Sequence, residues 1–391
     1  ILLILLSGCT PKDTTPPLAT WQKTYGGSNN DEAYSIQQVS DGGYIVAGET
    51  YSFGAGGSDA YVLKLDASGN VTWQKTFGGS GKDYAYSIQQ VSDGGYIVAG
   101  TTASSGAGYD DAYVLKLDAS GNVIWTKTFG GSDYDRASSI QQVSDGGYIV
   151  AGETYSFGAG CRDIYVLKLD ATGNVIWQKT FGGSYDDLAF SIQQVSDGGY
   201  IVAGETYSFG AGSWDAYVLK LDASGNVTWT KTFGGSSSDS VYSIQQVSDG
   251  GYIIAGITES SGAGSYDVYV LKLDASGNAT WTKTFGGSAN DYARSIQQVP
   301  DGGYIVAGET YSFGAGSYDV YVLKLDASGN ATWTKTFGGS YDDLAYSIQQ
   351  VSDGGYIVAG WTNSFGAGSY DVYVLKLDAT GNTGAYPTIS F

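Results

Sequence analysis

The chain has 391 residues, a formal net charge of −20 and a sequence pI near 4.1. An acidic surface without a basic stripe repels phosphate backbones, so nucleic acid is excluded as an expected partner. Histidine does not occur in the sequence, which excludes a Ser-His-Asp triad and histidine-based metal sites. The 60 glycines, 33 tyrosines and 9 tryptophans are typical of an all-β chain rich in turns.

The chain begins with six apolar residues followed by Ser7-Gly8-Cys9. This pattern resembles the end of a lipoprotein signal peptide whose lipobox ends at Cys9, although the initiator Met and the charged segment are missing. We therefore expect residues 1–8 to be the remainder of a truncated signal peptide and Cys9 to be lipidated. The Pro- and Thr-rich residues 9–20 are expected to form an extended tether. The resemblance implies an extracytoplasmic protein that contacts the bacterial envelope, at the outer membrane or cell surface, through its lipid anchor only.

From Trp21 onward the sequence repeats every 52 residues without insertion or deletion. No composition shift interrupts the array, so we expect residues 21–391 to form one domain. A repeat of this length, with short apolar runs and Gly-rich turns, favours a propeller. The seven copies begin at Trp21, Trp73, Trp125, Trp177, Trp229, Trp281 and Trp333.

Each copy contains four apolar runs separated by turn signals. In the first copy these runs are residues 35–39, 44–48, 60–65 and 71–77. The second is almost continuously apolar, as expected of a strand covered on both faces. Ser-Asp-Gly-Gly and Asp-Ala-Ser-Gly-Asn form compact turns, and longer loops make the other two connections. Four antiparallel strands per repeat predict one propeller blade.

The two ends of the array are complementary. Residues 21–25 form a strand without a preceding partner in their own copy, whereas the seventh copy ends at Asn382 without its fourth strand. We therefore predict an all-β, seven-bladed propeller of four-stranded antiparallel blades, closed by the N-terminal strand in the last blade. An open stack would need capping copies, and 52 residues per coil is too long for a β-helix. We expect a monomer.

The repeats resemble known groups of propeller repeats. The segment from Leu65 to Trp73, LDASGNVTW, is similar to the tryptophan-docking motif of pyrroloquinoline-quinone-type propellers, apart from one residue in its Asp–Gly spacing. The segment from Val39 to Gly48, VSDGGYIVAG, resembles the Gly-rich strand of kelch-like blades. Over residues 21–382 the unit resembles bacterial and archaeal secreted or lipoprotein propellers with DGGYIVAG…YVLKLDxxGNxxW repeats. The resemblance implies the fold and a non-catalytic scaffold, and we expect no cofactor.

Most differences between copies fall in the loops of one predicted face, residues 26–34 and 49–58 and their equivalents. Loops at one end of a rigid scaffold are common binding sites, although a face that tolerates drift explains the pattern equally well. Residues that break the repeat are the best candidates for a binding surface. The repeated aromatics of these loops suit stacking on sugars, and packing between blades is the alternative. The candidates are Trp214, Trp361, Arg136, Arg162 and Arg294, with Tyr51 and Phe53 from the repeated set.

Two aspartates recur in every copy, represented by Asp31 and Asp59 in the first. Rings of carboxylates can bind cations, but an aspartate at a loop end also fixes a turn by accepting backbone N–H bonds. Repetition in every copy favours the structural interpretation, and we expect no metal site. Cys161 stands where other copies have Gly or Ser, so we expect a free thiol.

These observations predict a non-enzymatic, lipid-anchored propeller whose variable face binds a protein or envelope partner. A lectin-like module that binds glycans through loop aromatics is the second hypothesis. The third is a hydrolase with a pair of carboxylates. Glycan binding separates the first two, and an acidic pair in a deep, asymmetric pocket favours the third.

Overall fold

The computed structural model describes residues 20–385, which form strands joined by turns and loops. The strands group into seven four-stranded antiparallel sheets, and each sheet is one blade of a closed ring. This confirms the predicted all-β, seven-bladed propeller. The lipobox and Cys9 lie outside the described residues. Within the described range no helix is long and apolar enough to cross a membrane.

Strand bounds repeat almost identically from blade to blade. The first strand of the chain, β1, spans Trp21–Tyr25. The strands of blades 1 to 4 are β2 Asp31–Gln38, β3 Tyr44–Thr50, β4 Asp59–Leu65 and β5 Val71–Phe77; β6 Asp83–Gln90, β7 Tyr96–Thr102, β8 Asp111–Leu117 and β9 Val123–Phe129; β10 Asp135–Gln142, β11 Tyr148–Thr154, β12 Asp163–Leu169 and β13 Val175–Phe181; β14 Asp187–Gln194, β15 Tyr200–Thr206, β16 Asp215–Leu221 and β17 Val227–Phe233. Those of blades 5 to 7 are β18 Asp239–Gln246, β19 Tyr252–Thr258, β20 Asp267–Leu273 and β21 Ala279–Phe285; β22 Asp291–Gln298, β23 Tyr304–Thr310, β24 Asp319–Leu325 and β25 Ala331–Phe337; β26 Asp343–Gln350, β27 Tyr356–Thr362 and β28 Asp371–Leu377.

The core lies between blades rather than inside one sheet. The two middle strands of blade 1, β3 and β4, are buried along their whole length. On one side their apolar residues, such as Ile45 and Val62, pack against Ile88 and Val98 of blade 2. Because every blade repeats this interface, the hydrophobic core is a ring of equivalent clusters around the central channel.

Tryptophan side chains link neighbouring blades. The Trp73 ring of β5 lies 5.9 Å from the Tyr96 ring of blade 2, edge to face. It also covers Gly121 in the turn between β8 and β9, where an added Cβ would lie 2.9 Å from the indole. The backbone of Gly121 has φ +77°, so glycine serves both the turn and the close approach of Trp73.

Strand β1 completes blade 7, as predicted. It pairs antiparallel with β28, with Trp21 opposite Lys376 and Tyr25 opposite Val372. The Gln22 side-chain amide donates to the Gly384 carbonyl at 3.0 Å, which ties the first described residues to the last.

The inner strand of each blade begins earlier than the sequence analysis placed it. In blade 1 it starts at Asp31 rather than Ser35, because a register shift between Ala33 and Ser35 continues the pairing with β3. Residue Tyr34 and its equivalents lie at this bulge. The longer inner strand therefore brings the variable residues next to the channel.

The recurrent aspartates begin strands and brace the adjoining loops. Asp31 accepts the Gly27 N–H at 2.8 Å and the Ser52 hydroxyl at 2.6 Å. Asp59 accepts the Ala55 N–H at 2.9 Å. These bonds fit the structural interpretation, and no cluster of three potential metal-ligating side chains occurs among residues 20–385.

Candidate ligand-binding site

The variable loops and the beginnings of the inner strands form one end of the ring, which we call the variable face. Near this end, the bulge residues of the seven inner strands form a ring around the channel, which we call the bulge ring. The Tyr34 ring centroid lies 5.4 Å from that of Tyr86 and 5.3 Å from that of Tyr346. Arg294 is inserted between two aromatic members, with its guanidinium 4.7 Å from the Tyr242 ring. The members are Tyr34, Tyr86, Ser138, Phe190, Tyr242, Arg294 and Tyr346.

The bulge ring has its smallest side chain at Ser138 in blade 3. Two residues earlier, Arg136 extends over the Tyr86 ring of blade 2, with its guanidinium carbon 5.2 Å from the ring centroid. The sevenfold pattern is therefore broken where blades 2 and 3 meet.

A cavity of about 280 Å³ lies at this interface, and we call it the interblade cavity. It is slightly below the range of roughly 300–1,000 Å³ that is typical of small-molecule sites. Blade 2 supplies part of its walls, and β10, β11 and the adjoining loops of blade 3 supply the rest. Five of its eight lining residues occur at their repeat position in no other copy. The lining residues are Thr101, Asp110, Tyr134, Asp135, Arg136, Glu153, Tyr155 and Arg162.

Two arginines and a shared glutamate organise the charge of the interblade cavity. Arg136 and Glu153 are opposite each other in the register of β10 and β11, and Arg136 Nε lies 3.5 Å from Glu153 Oε1. Arg162 Nη1 lies 3.6 Å from Glu153 Oε2, and Arg162 Nη2 lies 2.7 Å from Asp186 Oδ2. Burial raises the pKa of Asp110, and Arg136 opposes this rise. Both arginines are thus already compensated by carboxylates.

Several buried polar atoms around the interblade cavity have no hydrogen-bond partner in the protein. Among residues 20–385 nine buried side-chain nitrogen or oxygen atoms are in this state, and four of them belong to residues that line this cavity. Such atoms are costly unless a partner satisfies them. The four are Thr101 Oγ1, Asp135 Oδ1, Glu153 Oε2 and Arg162 Nε.

Exposed aromatic rings border the same cavity. Tyr134 and Tyr155 are both exposed, and their ring centroids are 5.9 Å apart. Tyr109 stacks on the outer side of Tyr134 at 5.2 Å. The site therefore combines exposed aromatic rings with buried donors and acceptors.

Cavities elsewhere in the described chain repeat the symmetry of the scaffold. At the other end of the channel a cavity of about 260 Å³ is lined by one Ile and one Gln from every blade, beginning with Ile36 and Gln37. The opposite face also carries equivalent grooves between blades, each containing a Trp and an ion-paired Lys such as Lys64. These sites contrast with the asymmetric interblade cavity.

The structure brings together only some of the candidate residues from the sequence. Arg136 and Arg162 line one cavity, and the Arg162 guanidinium lies 5.8 Å from the Trp214 ring. Arg294 belongs to the bulge ring in blade 6, where its Nη2 lies 2.6 Å from Glu309 Oε1. Cys161 is a free, exposed thiol, as expected.

The expectation of a surface tryptophan at Trp361 is wrong. Trp361 is only 8% exposed, because it lies in β27 and packs against Tyr370 with ring centroids 4.4 Å apart. Phe53 packs on Tyr61 of its own blade at 5.8 Å, whereas Tyr51 is exposed on the variable face.

Sequence reasoning missed most of the cavity lining. Asp110 and Tyr134 carried a signal in the sequence. No other copy has Asp at the position of Asp110, and no other copy has Tyr at the position of Tyr134. Thr101 likewise occurs in no other copy at its repeat position. Asp135, Glu153 and Tyr155 recur in other copies, so only their position at this interface distinguishes them.

The fold and its repeats place this protein in the class of β-propellers. A family model described as a domain of unknown function (DUF5122) β-propeller matches residues 40–71, 300–331 and 352–383. A second model, Arylsulfotransferase (ASST), matches residues 106–230, a range that contains most of the interblade cavity.

One curated relative is the regulatory protein FlaEY of Caulobacter vibrioides, 27% identical over 301 residues. The match covers 70% of this chain, which spans about 30% of the length of FlaEY. Among solved structures, the Pan2 WD40 domain of Neurospora crassa is similar with a TM-score of 0.53 and 12% identity, covering 90% of each chain. Sqt1 from Chaetomium thermophilum is similar with a TM-score of 0.51 and 11% identity, covering 95% of this chain and 87% of that one. At these identities the likeness shows the fold alone.

Proposed function

We propose that this protein is a non-enzymatic, carbohydrate-binding propeller that holds a neutral sugar in the interblade cavity. The observation that carries the proposal is a set of four buried polar atoms, in residues around this cavity, that form no hydrogen bond within the protein. The set contains a donor, Arg162 Nε, acceptors on Asp135 and Glu153, and a hydroxyl that can do both, on Thr101. Sugar hydroxyls donate and accept, so a sugar offers partners for both kinds of atom.

The charges around the cavity favour a neutral ligand over an anion. An anion accepts hydrogen bonds but offers none to the carboxylate oxygens of Asp135 and Glu153. It would also compete with Glu153 and Asp186 for the arginines. The net charge of −20 acts in the same direction at longer range.

The distribution of differences between the seven copies supports a binding role for the variable face. If neutral drift explained these differences, exposed positions on the opposite face should differ between copies as well. Ala67 lies exposed on that face, and its position is Ala in all seven copies. The position of Glu49, in the second strand of each blade near the channel, is buried or half-buried and differs widely. Its residues are Glu49, Thr101, Glu153, Glu205, Ile257, Glu309 and Trp361.

A second candidate ligand is an aryl sulfate, because the Arylsulfotransferase model matches the part of the chain that forms the cavity. Two arginines and two tyrosines suit a sulfate and an aromatic ring respectively. The carboxylates of Asp110, Asp135 and Glu153 oppose this candidate. Catalysis is not part of the proposal, because Glu153 is paired with both arginines of the cavity rather than with a second acid, and the sequence has no histidine base.

The anchoring and the partner of the protein also belong to this proposal. Lipidation of Cys9 would hold the propeller at the bacterial envelope, and a protein partner on the variable face is the alternative to a glycan. The word regulatory in the name of FlaEY is compatible with such a partner. The kelch-like and quinone-type resemblances of the repeats stay hypotheses and add no residue to the site.

Binding of the full chain to glucose, galactose, mannose and N-acetylglucosamine, as free sugars and short glycosides, tests the proposal by calorimetry. We expect at least one of these sugars to bind, and Tyr155→Ala to weaken it about tenfold through loss of ring stacking. Tyr311→Ala is the matched control, because it removes the same repeat position in blade 6. Binding of 4-nitrophenyl sulfate instead of sugars would favour the second candidate, and binding of neither would overturn a small-ligand site.

A further inference from the structure

A series of aromatic side chains, bridged at one point by Arg162, extends from the interblade cavity across blades 2, 3 and 4. From Tyr109 it passes through Tyr134 to Tyr155, at successive centroid distances of 5.2 and 5.9 Å. Tyr155 contacts the Arg162 guanidinium at 5.7 Å, and the far side of Arg162 contacts Trp214 at 5.8 Å. We call this series, with its continuation in blade 4, the aromatic track.

The aromatic track continues in blade 4 with two further tyrosines. Tyr207 lies 5.5 Å from Trp214, and Tyr185 lies 5.6 Å from Tyr207, with both pairs edge to face. Tyr185 and Tyr207 are both exposed, so the track ends at an accessible surface.

We infer that the protein binds a linear, neutral oligosaccharide. One sugar unit occupies the interblade cavity, and the aromatic track forms subsites for the units that follow. This inference rests on the proposed function and extends it from a single sugar to a chain. Adjacent exposed aromatic rings suit the sugar rings of a chain, whose apolar faces stack while their hydroxyls reach polar neighbours. Asp133, which is exposed and directly precedes Tyr134 in the sequence, offers an acceptor for hydroxyls and repels acidic glycans.

A second group of aromatic residues shows that ring clusters alone do not define the track. In blades 5 and 6, Tyr266, Tyr292, Tyr318 and Tyr311 also contact one another at 5.1–6.1 Å. Three of these four are half-buried, whereas the five tyrosines of the track are all exposed. The interblade cavity with its unpartnered atoms adjoins the track, and the lining of that cavity includes no member of the second group.

Oligosaccharides of one to six residues test the inference with four probe series. These are β-1,4-linked glucose, β-1,4-linked N-acetylglucosamine, α-1,4-linked glucose and α-1,6-linked mannose. In the series that binds, we expect the affinity of the full chain to rise about tenfold or more from one to four residues, as stacking contacts are added. A Kd that is independent of length would overturn the track and leave the single-sugar site intact. Absence of binding in every series would overturn both.

A double substitution locates the added subsites. We expect Tyr185→Ala with Tyr207→Ala to abolish the gain in affinity with length while the monosaccharide still binds, which also shows that the variant is folded. The matched control is Tyr341→Ala with Tyr311→Ala, which removes the same two repeat positions elsewhere on the variable face. A loss of the length gain in the control, or its retention in the track variant, would contradict the inference.

Discussion

Arg162 Nη2 of blade 3 lies 2.7 Å from Asp186 Oδ2, an ion pair that joins the rim of the interblade cavity to the loop before blade 4. The two side chains are 24% and 27% exposed. Partial burial should make this pair stronger than a typical surface pair, so we expect a coupling energy of about 1 kcal/mol. A double-mutant cycle with Arg162→Gln and Asp186→Asn, followed by urea unfolding, measures it.

The pair between Arg294 and Glu309 provides an internal comparison for this cycle. Glu309 is only 2% exposed and receives the Arg294 guanidinium at 2.6 Å. Removal of one partner leaves a buried charge, at a cost of about 3–5 kcal/mol. If Arg294→Gln costs no more than Arg162→Gln, burial does not govern the strength of these pairs.

Glu32 is expected to make stability fall as pH rises. The Tyr34 hydroxyl lies 2.6 Å from Glu49 Oε1 and 3.1 Å from Glu32 Oε2, but it has only one proton to donate. Burial, and then the charge of Glu49, raise the pKa of Glu32 to about 7, so a protonated Glu32 can donate to Tyr34. Below the unfolded-state pKa of 4.5, Glu32 makes its full contribution to the free energy of unfolding. This contribution is lost as pH rises through the folded-state pKa of about 7.

We therefore expect Glu32→Gln to stabilise the protein by about 1–3 kcal/mol at pH 8 and to change little at pH 4. Urea unfolding of both forms between pH 4 and pH 8 measures the difference. Glu259→Gln, at an exposed glutamate, controls for the general gain from removing one negative charge from an acidic protein. An equal gain from both variants would show that the local environment of Glu32 is not responsible.

Gly121 and Gly94 separate the cost of a backbone angle from the cost of a steric clash. Both have positive φ, +77° and +84°, but a Cβ at Gly121 would lie 2.9 Å from the Trp73 indole, whereas a Cβ at Gly94 meets nothing within 4 Å. We expect Gly94→Ala to cost about 1 kcal/mol for the backbone alone. Gly121→Ala should cost about 1–3 kcal/mol more than Gly94→Ala, because the indole must move. Equal midpoints in urea would mean that the Trp73 indole moves aside without cost.

The architecture could be predicted from the sequence because the same pattern of strands and turns occurs in seven copies. Every compact turn and every buried strand recurs at a fixed spacing, and the unpaired strand at Trp21 indicated the closure before any contact was known. The start of the inner strand at Asp31 was missed, because a bulge has no simple hydrophobic pattern.

The candidate site was only partly predictable, for a geometric reason. Arg136 and Arg162 stood out because they break the repeat, and the structure places both in one cavity. Trp361 broke the repeat equally well but packs against Tyr370 inside the variable face. The position of a residue within its repeat predicts the face of the propeller on which it lies. Whether a cavity forms there depends on how completely the side chains of two neighbouring blades fill the space between them.

The seam between β1 and β28 has a consequence for the order in which the molecule can fold. Its partners Gln22 and Gly384 are 362 residues apart, so the ring cannot close until β28 has been made. The third strands of all seven blades are nearly identical, so β1 cannot recognise β28 by its side chains. In blades 1 to 6 the third strand is already followed by its own fourth strand, and only β28 has a free edge when the seventh blade forms. The correct partner is therefore chosen by elimination, and a chain that stops one strand early would leave its first strand unpaired.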